Sequence, residues 1–272
     1  MRSARKAIRL VRGVARHRTR YFALRHRPFP IAPDDALRRL GVTPTSEDVR
    51  AWERARDELL PRLAAAAHHA GADAIAIKAE DPAHHAHDNK RLMYLLVRAT
   101  RPELVVETGT FAGVTTTFLL RALEDVGAGR LRSFDLPARE PIPNAVAHAL
   151  PPGRDPGWIV PDELRGRLEL VLGDSRETLK PTLQRESPVD VFIHDSLHTQ
   201  RHMLFEFRAA WRVLRPGGFL VSDDIFWNAS FWWFTKTRRV PLLHIGDVGI
   251  TRKAFAPARS PARSRSMSPT RG

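Results

Sequence analysis

The chain is patterned as short apolar runs that alternate with longer segments of helical periodicity. The first five runs lead into acidic or hydroxyl-bearing residues, and the last two are close enough to pair as a hairpin; the seven lie at 104–106, 130–135, 167–172, 189–193, 219–222, 240–245 and 248–253. Alternation of strands with helices is typical of an α/β sheet that is wound on both faces. We therefore predict a doubly wound, mostly parallel seven-stranded sheet with an antiparallel C-terminal strand.

The first apolar run leads into a glycine turn. Glu107 follows the run directly, Gly109 and Gly113 lie in the turn, and an apolar-rich helical segment comes next. Ligands of such sheets bind outside the carboxyl ends of the strands, where glycine lets the backbone approach them and helix N–H groups hold anions. The turn lacks the middle glycine of the dinucleotide fingerprint and the Gly-Lys-Ser/Thr of the phosphate loop. A nicotinamide-dependent oxidoreductase is therefore disfavoured.

Basic residues concentrate at the two ends of the chain. The net charge is +14, but residues 1–30 contain ten Lys or Arg and residues 251–272 contain six, with no acid in either segment. The rest of the chain has 28 basic and 30 acidic residues, so we expect no nucleic-acid partner for the core. Within residues 1–20 the arginines recur at helical spacing, which suits peripheral contact with an anionic membrane or an acidic partner; a solvated arm and a mitochondrial transit peptide are the alternatives.

Composition and helix signals divide the rest of the chain. The 272 residues include no cysteine, which excludes thiolate chemistry, and the chain has neither a membrane-spanning apolar run nor a secretory pattern, which predicts a cytoplasmic protein. After the basic arm we predict a helical extension over 31–84, with a helix from Thr45 or Ser46 that Pro61 kinks or splits. The main domain is predicted over 85–253, and the Pro, Ser and Arg of 254–272 predict a disordered basic tail.

Acidic residues follow both the fourth and the fifth apolar runs. Asp195 lies after the fourth run, and Asp223 and Asp224 lie after the fifth. Because adjacent parallel strands end at the same edge of a sheet, we expect these carboxylates to converge. Crowded carboxylates repel each other unless one is protonated or a cation is shared, and an oxygen-rich set suits Mg²⁺. Without a metal, the same acids would cap loops or bind a cofactor amine.

Three other segments carry candidate chemistry. The histidines at 84, 85 and 87 precede a helical segment and either bind a metal or form solvated polar surface. The Pro-rich residues 137–166 are predicted to cross over the site as a lid or substrate loop. The aromatic patch between Phe226 and Phe234 fits stacking on an acceptor ring, a homodimer contact or simply the core.

Six motifs occur in order within residues 85–253: ETGTFAG, FD, LGDS, FIHDSLH, LRPGG and SDDI. They resemble the class I S-adenosylmethionine (SAM)-dependent O-methyltransferases, in particular the catechol O-methyltransferase-like and macrolide-sugar O-methyltransferase-like small-molecule enzymes. The resemblance implies a Rossmann-like methyltransferase fold with SAM as cofactor and Mg²⁺ as assisting metal. It assigns Glu107, Gly109, Gly113 and Thr115 to the methionine end of SAM, Asp135 to its ribose, Asp174 and Ser175 to its adenine, and Asp195, Asp223 and Asp224 to the metal. The spacing from the glycine turn to Asp135 independently favours a ribose-binding carboxylate.

The predicted general base is where the chain departs from the family. A lysine lies three positions past the first metal aspartate in the catechol enzymes, whereas this chain has His198, with His194 as the rival base. A histidine of near-neutral pKa suits proton transfer from a hydroxyl, so His198 and Asp195 are the predicted catalytic residues. The loss of the lysine argues against a catechol as the acceptor.

The predicted function is therefore methyl transfer from SAM to a hydroxyl of a small molecule (a sugar, phenol or glycolipid) with divalent-metal assistance. Two alternatives stay open. One is a SAM-binding module without catalysis that associates with membranes. The other is a nucleic-acid methyltransferase, which the sequence HDSLH after the fourth strand disfavours because the Asn/Asp-Pro-Pro-aromatic turn that grips a base is missing.

Overall fold

A computed structural model of the chain describes residues 31–72, 86–136, 150–186 and 188–255. Its strands are β1 (Leu104–Thr108), β2 (Arg130–Asp135), β3 (Leu168–Leu172), β4 (Val189–His194), β5 (Leu214–Ser222), β6 (Leu243–Ile245) and β7 (Val248–Arg252). They form one sheet in the order β3-β2-β1-β4-β5-β7-β6. Strands β1 to β5 pair in parallel, β7 pairs antiparallel to β5, and β6 pairs antiparallel to β7. The predicted fold class is confirmed.

Helices cover both faces of this sheet. They are α1 (Pro33–Arg39), α2 (Ser46–His69), α3 (Ala86–Thr100), α4 (Val114–Val126), α5 (Ser175–Glu186), α6 (Gln200–Val213) and α7 (Ser230–Arg238), with a 3₁₀ helix at Asp162–Arg167. Side chains of β1 alternate between two cores, because successive residues of a strand point to opposite faces. Val105 belongs to the core under α1 to α4, and Val106 belongs to the core under α5 to α7. Within the described residues, every helix is too short or too polar to span a bilayer.

The N-terminal helices begin where the sequence suggested but differ in detail. Thr45 caps α2: its Oγ1 accepts from the N–H of Asp48 at 3.1 Å, and its own N–H donates to Asp48 Oδ2 at 2.8 Å. Pro61 lies inside a helix of 24 residues, so the predicted split at this proline does not occur. The ring of Trp52 packs 5.6 Å from Tyr94 and 5.3 Å from Phe118, which joins α2 to the main core.

The fifth strand is longer than predicted. The sequence places its start at Phe219, whereas β5 begins at Leu214. Its register against β4 jumps from the pair Val189–Leu214 to the pair Val191–Phe219, so residues 215–218 form an irregularity within the strand.

The aromatic patch is divided between core and surface. Phe231 and Phe234 are buried under α6, while the ring of Trp233 is 49% exposed. The core interpretation therefore holds for Phe226, Phe231 and Phe234. The arm at 1–30, the histidines at 84 and 85, the side chain at 87, residues 137–149 and the tail from 256 onwards lie outside the described residues.

Candidate functional site

The glycine turn after β1 contacts the loop after β4. Gly109 has a left-handed backbone (φ +92°), and a Cβ at this position would lie 2.0 Å from the carbonyl oxygen of Asp195. The N–H of Asp195 donates to the carbonyl of Thr108 at 2.8 Å. We expected Gly109 to admit a ligand; the structure shows that it admits the Asp195 backbone. The turn and the acidic loop are thereby held against each other.

Gly113 meets the chain excursion that follows β2. A Cβ at Gly113 would lie 2.7 Å from Val160 Cγ2 and 2.9 Å from Gly157 Cα, and its φ is +99°. The N–H groups of Gly157 and Ile159 donate to the carbonyls of Phe111 and Ala112 at 2.7 and 3.1 Å. The described part of the predicted lid segment therefore packs directly on the glycine turn.

Glu107 is a buried acid beneath this turn. Its Oε2 accepts from Thr116 Oγ1 at 2.7 Å and from Ser133 Oγ at 2.6 Å. Burial raises the pKa of Glu107 to about 7; the two hydroxyl donors oppose this effect and the nearby Asp135 adds to it. A cationic group bound next to Glu107 would favour its ionised form. Thr115 lies half-buried in the first turn of α4.

The predicted ribose and adenine residues have different surroundings. Asp135 ends β2 and accepts a hydrogen bond from the N–H of Phe111, and burial raises its pKa to about 6. Asp174 pairs with Arg176, whose hydrogen bond lowers the pKa of that carboxyl. Ser175 instead turns inward and donates to Glu206 Oε1 at 2.7 Å. Its hydroxyl is thus engaged by the protein itself.

Two of the three acids predicted to bind a metal flank His198, and the third, Asp223, lies beside Asp195. The Nε2 of His198 lies 3.8 Å from Asp195 Oδ1, and its Nδ1 lies 3.8 Å from Asp224 Oδ2. The N–H of Asp223 donates to the carbonyl of His194 at 2.8 Å, which keeps the ends of β4 and β5 together. Burial raises the pKa of Asp195 well above its usual range, and the charges of Asp223, Glu107 and Asp224 raise it further. The side chain of Asp195 is 32% exposed to solvent. We call the group formed by Asp195, Asp223, Asp224 and His198 the acidic recess.

His198 is electrically neutral at neutral pH. Burial lowers its pKa to about 3, and nearby His194 lowers it further. The Nε2 atom is buried and has no hydrogen-bond partner within the described residues. The near-neutral pKa expected from the sequence is therefore wrong for the protein without ligands, and an imidazolium here would need compensating negative charge.

His194, the rival base, is fully buried. Its Nδ1 lies 2.6 Å from Glu206 Oε2, and its ring contacts that of His198 edge to face at 5.2 Å between centroids. Strand alternation at the end of β4 directs this side chain inward. It lies behind the acidic recess.

Sequence reasoning missed His202 and Glu206. Both are on α6, where Glu206 is completely buried. Their signal was available: His198, His202 and Glu206 recur every fourth residue, which places the last two on one helix face next to the predicted base.

The acidic recess has suitable donors for a cation. Among the described residues, no group of three or more His, Asp or Glu side chains is arranged as a formed metal site. The chemistry of the donors does fit, since carboxylate oxygens suit Mg²⁺ and a bound cation would offset the burial that raises the pKa of Asp195 and Asp223 and the neighbouring acids that raise the pKa of Asp195 further.

Comparisons with known proteins agree with this geometry. Residues 106–225 match a family model described as a methyltransferase domain. No curated protein matches the chain in sequence. The O-methyltransferase TomG from Streptomyces achromogenes, involved in tomaymycin synthesis and solved with SAM, is 17% identical, with 73% of this chain and 90% of TomG covered and a TM-score of 0.50.

Two further solved structures have lower scores. The O-methyltransferase from Bacillus cereus, solved with SAH, is 15% identical over 71% of this chain and 91% of its own, with a TM-score of 0.46. The SAH-bound methyltransferase PaMTH1 of Podospora anserina is 15% identical over 78% and 89%, also with a TM-score of 0.46. The domain match and the motifs bear out the predicted class I SAM-dependent methyltransferase over residues 106–225, and the likeness to TomG shows the shared fold.

Proposed function

We propose that this enzyme methylates a hydroxyl oxygen of a small molecule (a sugar, phenol or glycolipid) with assistance from Mg²⁺. The observation that carries the proposal is the acidic recess, in which Asp195 and Asp224 flank His198 and Asp223 lies beside Asp195, directly against the glycine turn. The name of TomG as an O-methyltransferase agrees with an oxygen acceptor. A cytoplasmic location accompanies this proposal.

The cofactor half of the site would be formed by the first three strands. SAM supplies a methyl group on a sulfonium, a good leaving group, so the protein contributes mainly alignment of the acceptor oxygen with the methyl carbon. Glu107 would attract the ammonium, Asp135 would accept from the ribose hydroxyls, and the first turn of α4 at Thr115 would hold the carboxylate. Asp174 would border the adenine.

The acceptor half would be formed by the ends of β4 and β5. Asp195, Asp223 and Asp224 would hold Mg²⁺, which when bound orients a hydroxyl and lowers its pKa. The Nε2 atom of His198 has no hydrogen-bond partner within the described residues and lies beside these acids. It would accept the hydroxyl proton, and the carboxylates of Asp195 and Asp224 on either side would stabilise the resulting imidazolium.

The test is a mass gain of one methyl on hydroxylated acceptors, with and without Mg²⁺. We expect Asp195→Ala and His198→Ala to abolish turnover while SAM binding, measured by calorimetry, persists. Asp162→Ala, which removes a fully exposed acid, serves as the control and should behave as the wild type. Wild-type rates in both site variants would overturn the residue assignment.

The same assay separates the alternatives. A SAM-binding module without catalysis would bind the cofactor yet methylate no acceptor under any metal. A nucleic-acid methyltransferase would instead bind RNA or DNA with a strong salt dependence through its core.

A further inference from the structure

One buried carboxylate connects the two halves of the site. Glu206 of α6 has no exposed surface. Five side chains from separate segments contact its oxygens: Thr108 Oγ1 at 2.6 Å, His194 Nδ1 at 2.6 Å, Ser175 Oγ at 2.7 Å, His202 Nε2 at 2.8 Å and Ser196 Oγ at 3.0 Å. We call this group the Glu206 network.

The protons of this network are fixed by its chemistry. Burial opposes ionisation of Glu206, but hydrogen bonds from His194 and His202 hold its pKa well below the usual range. An ionised carboxylate only accepts hydrogen bonds, so each histidine must carry a proton on the nitrogen that faces it. His194 is thereby protonated on Nδ1, while its buried Nε2 has no partner in the described part of the chain.

The network surrounds Asp195 on both sides. His194 and Ser196, its two neighbours in sequence, both bind Glu206. The third contact, Thr108, also accepts the N–H of Asp195 through its carbonyl at 2.8 Å. Ser175, next to the residue predicted to border adenine, completes the link to the cofactor side.

We propose that Glu206 is a positioning residue that fixes the Asp195–His198 loop relative to the SAM-binding turn. The proposal rests on the proposed function, since it concerns the same site. Glu206 influences the site only through the residues with which it forms hydrogen bonds. One of them is His194, whose ring packs edge to face against the ring of His198. Such a group acts on turnover rather than on cofactor affinity.

Asp190 provides a matched control. It is also a buried carboxylate, at the opposite end of β4, and it accepts from the N–H groups of Glu103 and Leu104 at 2.9 and 2.8 Å. Its partner Arg215 lies 2.7 Å away. Asp190→Asn should lower stability without changing kcat, because its contacts lie far from the acidic recess along the strand.

The experiment compares Glu206→Gln with this control. A glutamine keeps the shape but replaces one acceptor by a donor, so part of the network must break. We expect kcat to fall by roughly 10- to 100-fold, the typical cost of a misplaced reacting group, while the dissociation constant for SAM stays unchanged. If Glu206→Gln does not fold, Ser196→Ala, which removes one donor, should show the same split in a weaker form. An unchanged kcat in the folded variant would overturn the proposal.

A spectroscopic measurement tests the Glu206 network without depending on methyl transfer. ¹⁵N NMR of the wild type should show His194 protonated on Nδ1, and Glu206→Gln should lose this signature. An unprotonated Nδ1 in the wild type would contradict the network. If the wild type methylates no acceptor, the proposed function fails, whereas the NMR result still decides whether Glu206 orients His194.

Discussion

Buried carboxylates at the carboxyl edge of the sheet differ in charge because their partners differ. Glu206 accepts from two histidines and three hydroxyls and is ionised. Glu107 accepts from hydroxyls alone, so burial raises its pKa to about 7. Asp195 lies beside other acids, and its pKa is raised. Glu107 and Asp195 therefore resist ionisation in the protein alone, and a sulfonium cofactor and a metal cation bound beside them would favour their charged forms.

Glu107 predicts how SAM affinity depends on pH. Under the proposed function its ionised form would attract the ammonium of SAM, and that form is lost as the pH falls through about 7. We expect the affinity for SAM to fall as the pH decreases from 8 to 6. Near pH 7 we expect SAM binding to release the proton of Glu107 into solution. Glu107→Gln should bind SAM roughly tenfold more weakly, as expected for a lost charged hydrogen bond, and with less dependence on pH. Calorimetry across this range is the measurement, and a flat wild-type profile would contradict the role of Glu107.

The same residue predicts an opposite effect on stability. Burial raises the pKa of Glu107 from 4.5 to about 7 in the folded protein. The folded state therefore loses stability as the pH rises from about 4.5 to about 7, and this loss is complete above pH 7. Glu107→Gln should therefore be more stable than the wild type at pH 8, by roughly 1–3 kcal/mol. Urea unfolding without SAM at pH 5 and pH 8 tests this: the gain should shrink at pH 5, and an equal gain at both values would exclude the ionisation effect.

At the scale of elements, the turn between β1 and α4 is the most constrained connection of the site. Gly109 combines a left-handed backbone with backbone contact to Asp195, whereas Gly127, which caps the end of α4, has a left-handed backbone and open space around it. Gly109→Ala should cost roughly 3 kcal/mol or more, because a steric clash adds to the backbone strain. Gly127→Ala should cost about 1 kcal/mol from strain alone. Similar losses in the two variants, measured by urea unfolding, would show that the contact with Asp195 is unimportant.

Much of the architecture could be predicted because acidic residues follow the apolar runs that form the strands. The apolar runs place Glu107, Asp135 and Asp195 at one edge of the sheet, and the structure brings the predicted acids together. The contact between Gly109 and the Asp195 backbone was not foreseen, because a pattern shows that space is needed but not what fills it. The Glu206 network was missed since hydrogen bonds between distant segments leave only a weak spacing signal on α6. The inward turn of Ser175 had the same cause.

At the scale of the whole molecule, basic charge is concentrated at the two ends of the sequence. The residues between the two basic ends are nearly neutral, and the arginines of the N-terminal arm recur at helical spacing. Contact of this arm with an anionic membrane remains our proposal, as does the division of the chain into arm, helical extension, methyltransferase domain and tail.

Vesicle binding tests the role of the arm in the full chain. Replacing Arg5, Arg9, Arg12 and Arg16 by Gln removes charges that each contribute about 1 kcal/mol at an anionic surface. We expect co-sedimentation with anionic vesicles to fall by at least about tenfold, and the wild type to be released by salt. Equal binding of the wild type to zwitterionic vesicles would exclude an electrostatic contact.

The central claim is that one edge of the sheet holds the methyl donor and the acid-lined acceptor site side by side. A crystal structure with SAH and Mn²⁺, a stand-in for Mg²⁺ that anomalous diffraction locates, tests it most directly. We predict SAH between Glu107 and Asp135, with the metal peak among Asp195, Asp223 and Asp224. SAH bound away from the Gly109 turn, or a metal bound elsewhere on the protein, would contradict the claim.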